Sequence, residues 1–275
     1  MSGDDTAAGE DPISELIGFL SDSRAEVRTA AATHVASLTG TVDGLSLLVK
    51  ERERLLPPLL KLLHDADAKV LEQVYAALVN LSLDEDACKS LLSLGVVGRI
   101  MEILRGGHEK QGTVLTAKLL SNLTLRSEAV DELLQKGKGP LEGFFVSIIV
   151  QLLVSESGGA PEERDYFAAV LTNISQQGIG RKAFLGESAA NLKLLNRELE
   201  KTASLVRQES LARVIRNVCM GSIEDGECGS RRVGKRPMLN EFGLRARVAH
   251  VPHVPPHRAR VRTIARFVAA AATLC

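Results

Sequence analysis

Three features of the 275-residue sequence predict an all-α repeat protein. Leu and Ala dominate while aromatics are only 3% and Trp is absent, a composition that suits helices better than sandwiches or barrels. A short signature, Asn–aliphatic–small hydroxyl or thiol, recurs as Asn80-Leu81-Ser82, Asn122-Leu123-Thr124, Asn173-Ile174-Ser175 and Asn217-Val218-Cys219. A degenerate copy stands at Ser37-Leu38-Thr39. Upstream of each copy the apolar residues fall at i, i+3, i+4 and i+7, one face of an α-helix.

In chain order, the small and acidic stretch 1–11 is expected to be disordered. Pro12–Leu20 opens a Leu-rich helix type that recurs at Leu55–Leu63, Gly95–Leu104 and Phe144–Leu153, with Asn191–Leu199 a weaker fifth copy. Polar turns such as Asp22-Ser23-Arg24 and His64-Asp65-Ala66-Asp67 come next, and their Asp or Ser residues are candidate caps for the next helix. That next helix carries the signature. Its core face reads Ala31, His34, Val35, Leu38 in the first copy and Val74, Ala77, Leu78, Leu81 in the second. Then come Thr116, Leu119, Leu120, Leu123; Phe167, Val170, Leu171, Ile174; and Leu211, Val214, Ile215, Val218. His34 is thereby expected to be a core histidine. A short additional helix is expected over Asp84–Leu94. Gly137–Gly143 reads as an inserted loop and Ser155–Pro161 as a second, flexible one.

The signature Asn residues are 42, 51 and 44 positions apart, and Ser37 lies 43 before Asn80. A period in this range, with two or three helices per unit, is the arithmetic of armadillo and HEAT repeats. Three helices favour armadillo. The expected fold is an armadillo/HEAT-like right-handed α-solenoid of about five repeats over residues 12–225.

Charge separates this body from the C-terminal segment. Lys plus Arg and Asp plus Glu are both 34, yet residues 1–225 hold 24 basic and 32 acidic side chains while 226–275 hold 10 and 2. The basic tail contains Pro, Arg and His without periodicity and is expected to be irregular and disordered. Only Phe242 and Phe267 are available there for base stacking, so nucleic acid is not an expected partner and remains the alternative for the tail alone. Cys88, Cys219, Cys228 and Cys275 form no CxxC and read as reduced thiols. No signal peptide is apparent, and the apolar run Phe144–Val154 is broken by Ser147 and Gln151. The expected location is the cytoplasm, with the nucleus as alternative, and no membrane is involved.

Catalytic chemistry finds little support. Gly178-Ile179-Gly180-Arg181-Lys182-Ala183 fits a loose GxGxxA but follows a helix rather than the strand a dinucleotide site requires. Gly137-Lys138 lacks the upstream glycine of a phosphate loop, and neither HExxH nor GxSxG occurs. His250, His253 and His257 lie among Arg residues that oppose a cation. The expectation is a non-enzyme with no catalytic residue, metal, cofactor or small-molecule substrate. Asn80, Asn122 and Asn173 match the glycosylation pattern, but their equivalent helical positions mark the match as incidental. On an armadillo unit these Asn residues, with Asn217, project from the third helix toward the concave face. There they bond a ligand's main chain or cap a neighbouring helix, the structural role being the weightier. Lys118 and Arg213, each four residues before an Asn, share that face and complete the candidate partner-binding set.

Glu72 to Ser82, Ala117 to Thr124, Asp165 to Ser175 and Arg207 to Cys219 together resemble repeats of the eukaryotic Hgh-one homolog family, over about residues 10–225. The resemblance implies a cytosolic armadillo-type chaperone adaptor that helps fold translation elongation factor 2 with the cytosolic chaperonin. It carries no catalytic residue to transfer. After about Glu224 the pattern departs from the family, and 226–275 reads as a segment from another reading frame or exon. An importin-like receptor for basic peptides is the alternative for the acidic body. That groove pairs Asn with Trp, and this chain has no Trp.

Overall fold

The structure, a computed structural model, describes residues 11–106, 113–155, 160–185 and 189–224. The expected disordered N-terminus, most of the second flexible loop and the basic tail lie outside them. Fourteen α-helices and no strand occur among the described residues. In chain order they form one pair and four triplets. The pair is α1 (Pro12–Phe19) and α2 (Ala25–Thr39). The first triplet is α3 (Val42–Lys50), α4 (Arg52–Lys61) and α5 (Ala68–Leu81). The second is α6 (Glu85–Ser93), α7 (Val96–Arg105) and α8 (Thr113–Leu123). Next come α9 (Ser127–Leu133), α10 (Phe144–Val154) and α11 (Pro161–Ser175). The last triplet is α12 (Gly178–Leu185), α13 (Ala190–Lys201) and α14 (Leu205–Glu224).

These helices fall into two compact units, Met1–Leu133 with Ser155–Phe167, and Leu134–Val154 with Ala168–Cys275. In the first, α5 packs between α2 and α8, while α4 lies against α6 and α7 against α9. In the second, α14 is flanked by α12 and α13, and α13 packs on α10. The i, i+3, i+4, i+7 face expected from sequence is the core in four of five copies, where no such residue exceeds 1% exposure. The first copy departs from it. Ala31 and Val35 are buried, but His34 is exposed and Leu38 half-buried. The core-histidine expectation is therefore corrected. The helix that precedes α2, the short α1, packs on it but buries no residue of its own.

Local sequence explains most helix ends. Asp67 accepts from the N–H groups of Lys69 and Val70, and Asp84 from those of Asp86 and Ala87, which satisfies first-turn donors of α5 and α6. Asp22 is not such a cap, because Arg24 is the N-cap of α2 and makes no side-chain cap bond. The Asp22 carboxylate instead holds the Arg24 N–H at 2.8 Å and the Arg24 guanidinium at 3.1 Å. Helix α4 starts earlier than sequence indicated and runs through Pro57 and Pro58. Each interior proline costs about 3 kcal/mol. Leu55, Leu56, Leu59 and Leu60 are at most 2% exposed. Burying each contributes about 1.5–3 kcal/mol, so packing overrides the breakers.

The Gly137–Gly143 insertion is an ordered turn. It holds the 3₁₀ segment Gly139–Leu141, and Gly137, Gly139 and Gly143 all have positive φ. The Gly143 N–H donates to the Leu134 carbonyl at 2.8 Å, closing the turn at the entry to α10. The loose GxGxxA lies within α12, where Gly180 faces the Ile174 carbonyl so closely that a Cβ would overlap it. Gly44 of α3 stands in the same relation to Leu38. Ala87 and Ala129 occupy the same place in α6 and α9, six residues after the signature aliphatic, and both are fully buried. Small residues here let each first helix seat on the end of the preceding third helix.

Candidate functional site

The signature asparagines are tied to the repeat before them. The Asn80 side-chain N–H donates to the Thr39 hydroxyl at 3.1 Å. Asn122 donates to the Ser82 hydroxyl at 3.0 Å and to the Val79 carbonyl at 3.3 Å. In the second unit Asn217 donates to the Ser175 hydroxyl at 3.0 Å. Each hydroxyl in turn donates to a carbonyl on its own helix: Thr39 to Ala36, Ser82 to Val79 and Ser175 to Thr172, at 2.6–2.7 Å. Thr124 does the same toward Leu120 and Ser121. Asn173 is also engaged. Both polar members of the signature therefore act together, the hydroxyl as acceptor from the next repeat and the Asn as donor to the previous one. The structural role weighed from sequence is the one seen, although the acceptor is a side-chain hydroxyl as well as a helix-end carbonyl. At two of the three glycosylation matches the same geometry applies, since the nitrogen a glycan would occupy is bonded inside the fold at Asn80 and Asn122.

The ladder does not consume all hydrogen-bonding capacity. Among the described residues no bond reaches Oδ1 of Asn80 or Asn122, and both side chains are half-buried with that oxygen open to a donor. Lys118 is half-buried one turn before Asn122 on α8. Arg213 is more than half exposed one turn before Asn217 on α14, where it pairs with Glu209. That exposed pair is worth little and leaves the guanidinium available. The first unit brings Asn80, Asn122 and Lys118 together, while Arg213 and Asn217 belong to the second.

Further polar groups had no periodic signal to announce them. Arg28 grips Asp65 through two bonds, 2.7 Å and 3.1 Å, and donates to the carbonyls of Asp22 and Ser23. The Arg28 guanidinium is the main reason the Asp65 carboxyl sits below its ordinary value. The N-cap of helix α7 is Gly95, whose φ is +70° and which has no capping side chain; Glu132 of α9 accepts from the first-turn Gly98 N–H at 3.0 Å. Arg207 of α14 meets Glu198 of α13 at 3.0 Å in the interior of the second unit. Among the described residues no group of three His, Cys, Asp or Glu is placed to hold a metal, and no helix is long and apolar enough to cross a membrane.

Known proteins align with this arrangement. Curated relatives of one name, protein HGH1 homolog, match across eukaryotes. The Dictyostelium discoideum protein is 25% identical over 217 residues, 76% of this chain and 59% of its own length. The Xenopus laevis protein is 28% identical over 230 residues, 82% of this chain and 62% of its own length. A family model described as a domain of unknown function, DUF383, matches residues 106–228. The chain is similar to the HGH1 homologs over about three quarters or more of its length. It spans about three-fifths of the length of these relatives, 59% and 62%. The family match covers the Asn122, Asn173 and Asn217 signatures, and ends close to the place where the charge reverses.

Solved structures agree on the fold. A designed armadillo repeat protein for modular peptide recognition superposes with a TM-score of 0.63 at 18% identity, over 94% of this chain and 98% of that one. Another, solved in complex with the peptide (KR)4, gives 0.64 at 17% identity over 95% and 99%. The chain is a helical-repeat scaffold with the fold of an armadillo-type α-solenoid.

Proposed function

We propose that this chain is a protein-binding, non-enzymatic adaptor that assists folding of translation elongation factor 2 with the cytosolic chaperonin, acting in the cytoplasm. Similarity to the HGH1 homologs is the observation that carries this reading, because that resemblance is what implies the client. The repeat geometry supports it with a face suited to extended chain. Asn80 and Asn122 each keep a carbonyl oxygen open, one repeat apart, and accept N–H groups from a segment laid across them. Lys118 attracts acidic side chains beside it, and in the second unit the corresponding residues are Asn173, Asn217 and Arg213.

The test is affinity purification of the 275-residue chain from eukaryotic cytosol, followed by identification of bound proteins. Elongation factor 2 and chaperonin subunits are expected, and recovery of neither refutes the adaptor reading. The neighbour bound to (KR)4 favours a second reading as a receptor for basic peptides. Absence of Trp removes the flat walls that grip Lys and Arg stems in such grooves, so the adaptor reading stands first. Micromolar binding of a Lys-rich peptide reverses that order.

A further inference from the structure

A cavity of about 670 Å³ opens in the first unit between the end of α1, the end of α4 and the flank of α7. Its lining is unlike the rest of its surroundings. Residues 11–106 carry 10 basic and 14 acidic side chains. Around the cavity the balance is reversed, with Arg28, Lys61 and Arg99 facing Asp22 and Asp65, and His64 beside them. The two carboxylates are already spoken for. Asp65 is held by both arms of Arg28, with only 5% of its side chain exposed, and Asp22 is held by Arg24. Lys61, His64 and Arg99 are exposed and have no carboxylate partner among the described residues. Leu20 and Leu62, at 1% and 6% exposure, form an apolar wall beneath them with Pro57.

The unpaired cations Lys61 and Arg99 repel one another and lower stability, and an opposite charge brought to the mouth relieves that repulsion. A concave site with an apolar wall and a cationic rim selects a ligand of the complementary pattern, an aliphatic side chain flanked by carboxylates. We infer that the cavity bounded by Lys61, His64 and Arg99 is a docking site for an acidic, leucine-containing segment of a partner protein. The site lies apart from the asparagine ladder and does not depend on the identity of the client. The Arg28–Asp65 clasp is its positioning element, because it fixes the turn after α4 against the turn after α1 and so holds the cavity open.

The test uses the full 275-residue chain and a fluorescein-labelled octapeptide of alternating Glu and Leu, followed by anisotropy. Saturable binding that weakens as salt is raised is expected. The double variant Lys61→Glu/Arg99→Glu is expected to bind roughly tenfold or more weakly while melting no lower than the unaltered chain, because both side chains are exposed and the repulsion between the two cations is removed. Asn122→Ala is expected to leave peptide affinity unaltered, which separates this site from the ladder. The inference is overturned by no saturable binding to the unaltered chain, by equal affinity for an alternating Lys–Leu peptide, or by full affinity in the double variant. Equal binding of a single-stranded RNA that displaces the peptide also overturns it, since phosphate density alone would then suffice.

Discussion

Arg207 and Glu198 illustrate what one buried charge demands of its neighbours. Arg207 is 3% exposed and Glu198 8%, so neither has water to fall back on. Replacing Arg207 by Leu strands the carboxylate, and a loss of about 3–5 kcal/mol in unfolding free energy is expected from urea titration. A ladder rung is a smaller unit. Asn122→Ala removes bonds to Ser82 and Val79 and is expected to cost about 1–3 kcal/mol by the same measurement. The Arg28–Asp65 clasp adds a pH signature. Asp65 has a folded-state value lowered from its ordinary 3.8, so its contribution is full above that value and fades as the pH falls through the folded one. Asp65→Asn is therefore expected to be less stable than the unaltered chain at pH 7, with the gap closing in acid below 3.8. Equal stability of the two at pH 7 would rule out the clasp as a stabilising contact.

At the scale of the helix, two glycines of similar appearance in the sequence are expected to respond in opposite directions. A Cβ at Gly180 overlaps the Ile174 carbonyl, so Gly180→Ala should push α12 off the end of α11 and cost roughly 1–3 kcal/mol. At Gly98 the nearest atom to a new Cβ is Glu132 Oε1 at 3.5 Å, ordinary contact. Gly98→Ala should instead stabilise by about 0.5–1 kcal/mol through helix propensity, measurable as a higher Tm. This contrast also shows where sequence was readable. The third helices carry a full apolar face and a repeated signature, so their existence, spacing and core positions were legible. The first helices are only seven to nine residues long, and their polar turns hide the period, so only Glu85–Ser93 was foreseen. At α4 the prolines masked a first turn that leucine burial restores. His34 was misplaced because periodicity reports which residues share a face, not whether a neighbour covers it. The asparagine positions were legible, but their hydroxyl acceptors, 40 to 42 residues away, emerge only when adjacent repeats meet.

On the scale of the whole molecule, energy is organised by nearest neighbours, so damage should remain local. Asn122→Ala is expected to raise amide hydrogen exchange in α5 and α8 while α13 and α14 keep their protection; acceleration spread evenly over all helices would exclude this organisation. The two buried clusters, one around Leu55, Leu78 and Ile100 and one around Ile149, Leu195 and Val214, belong to separate compact units and fit that pattern. The ladder gives the sequence a direction as well. Each observed rung donates toward the N-terminus and each hydroxyl waits for a donor from the C-terminal side. A unit copied in tandem thus arrives carrying both halves of the joint, its Asn fitting the hydroxyl of its parent and its own hydroxyl fitting the Asn of the unit displaced behind it. Lengthening by duplication needs no compensating change at either seam, whereas a unit inserted in reverse order of these two groups would leave an amide with nothing to hold.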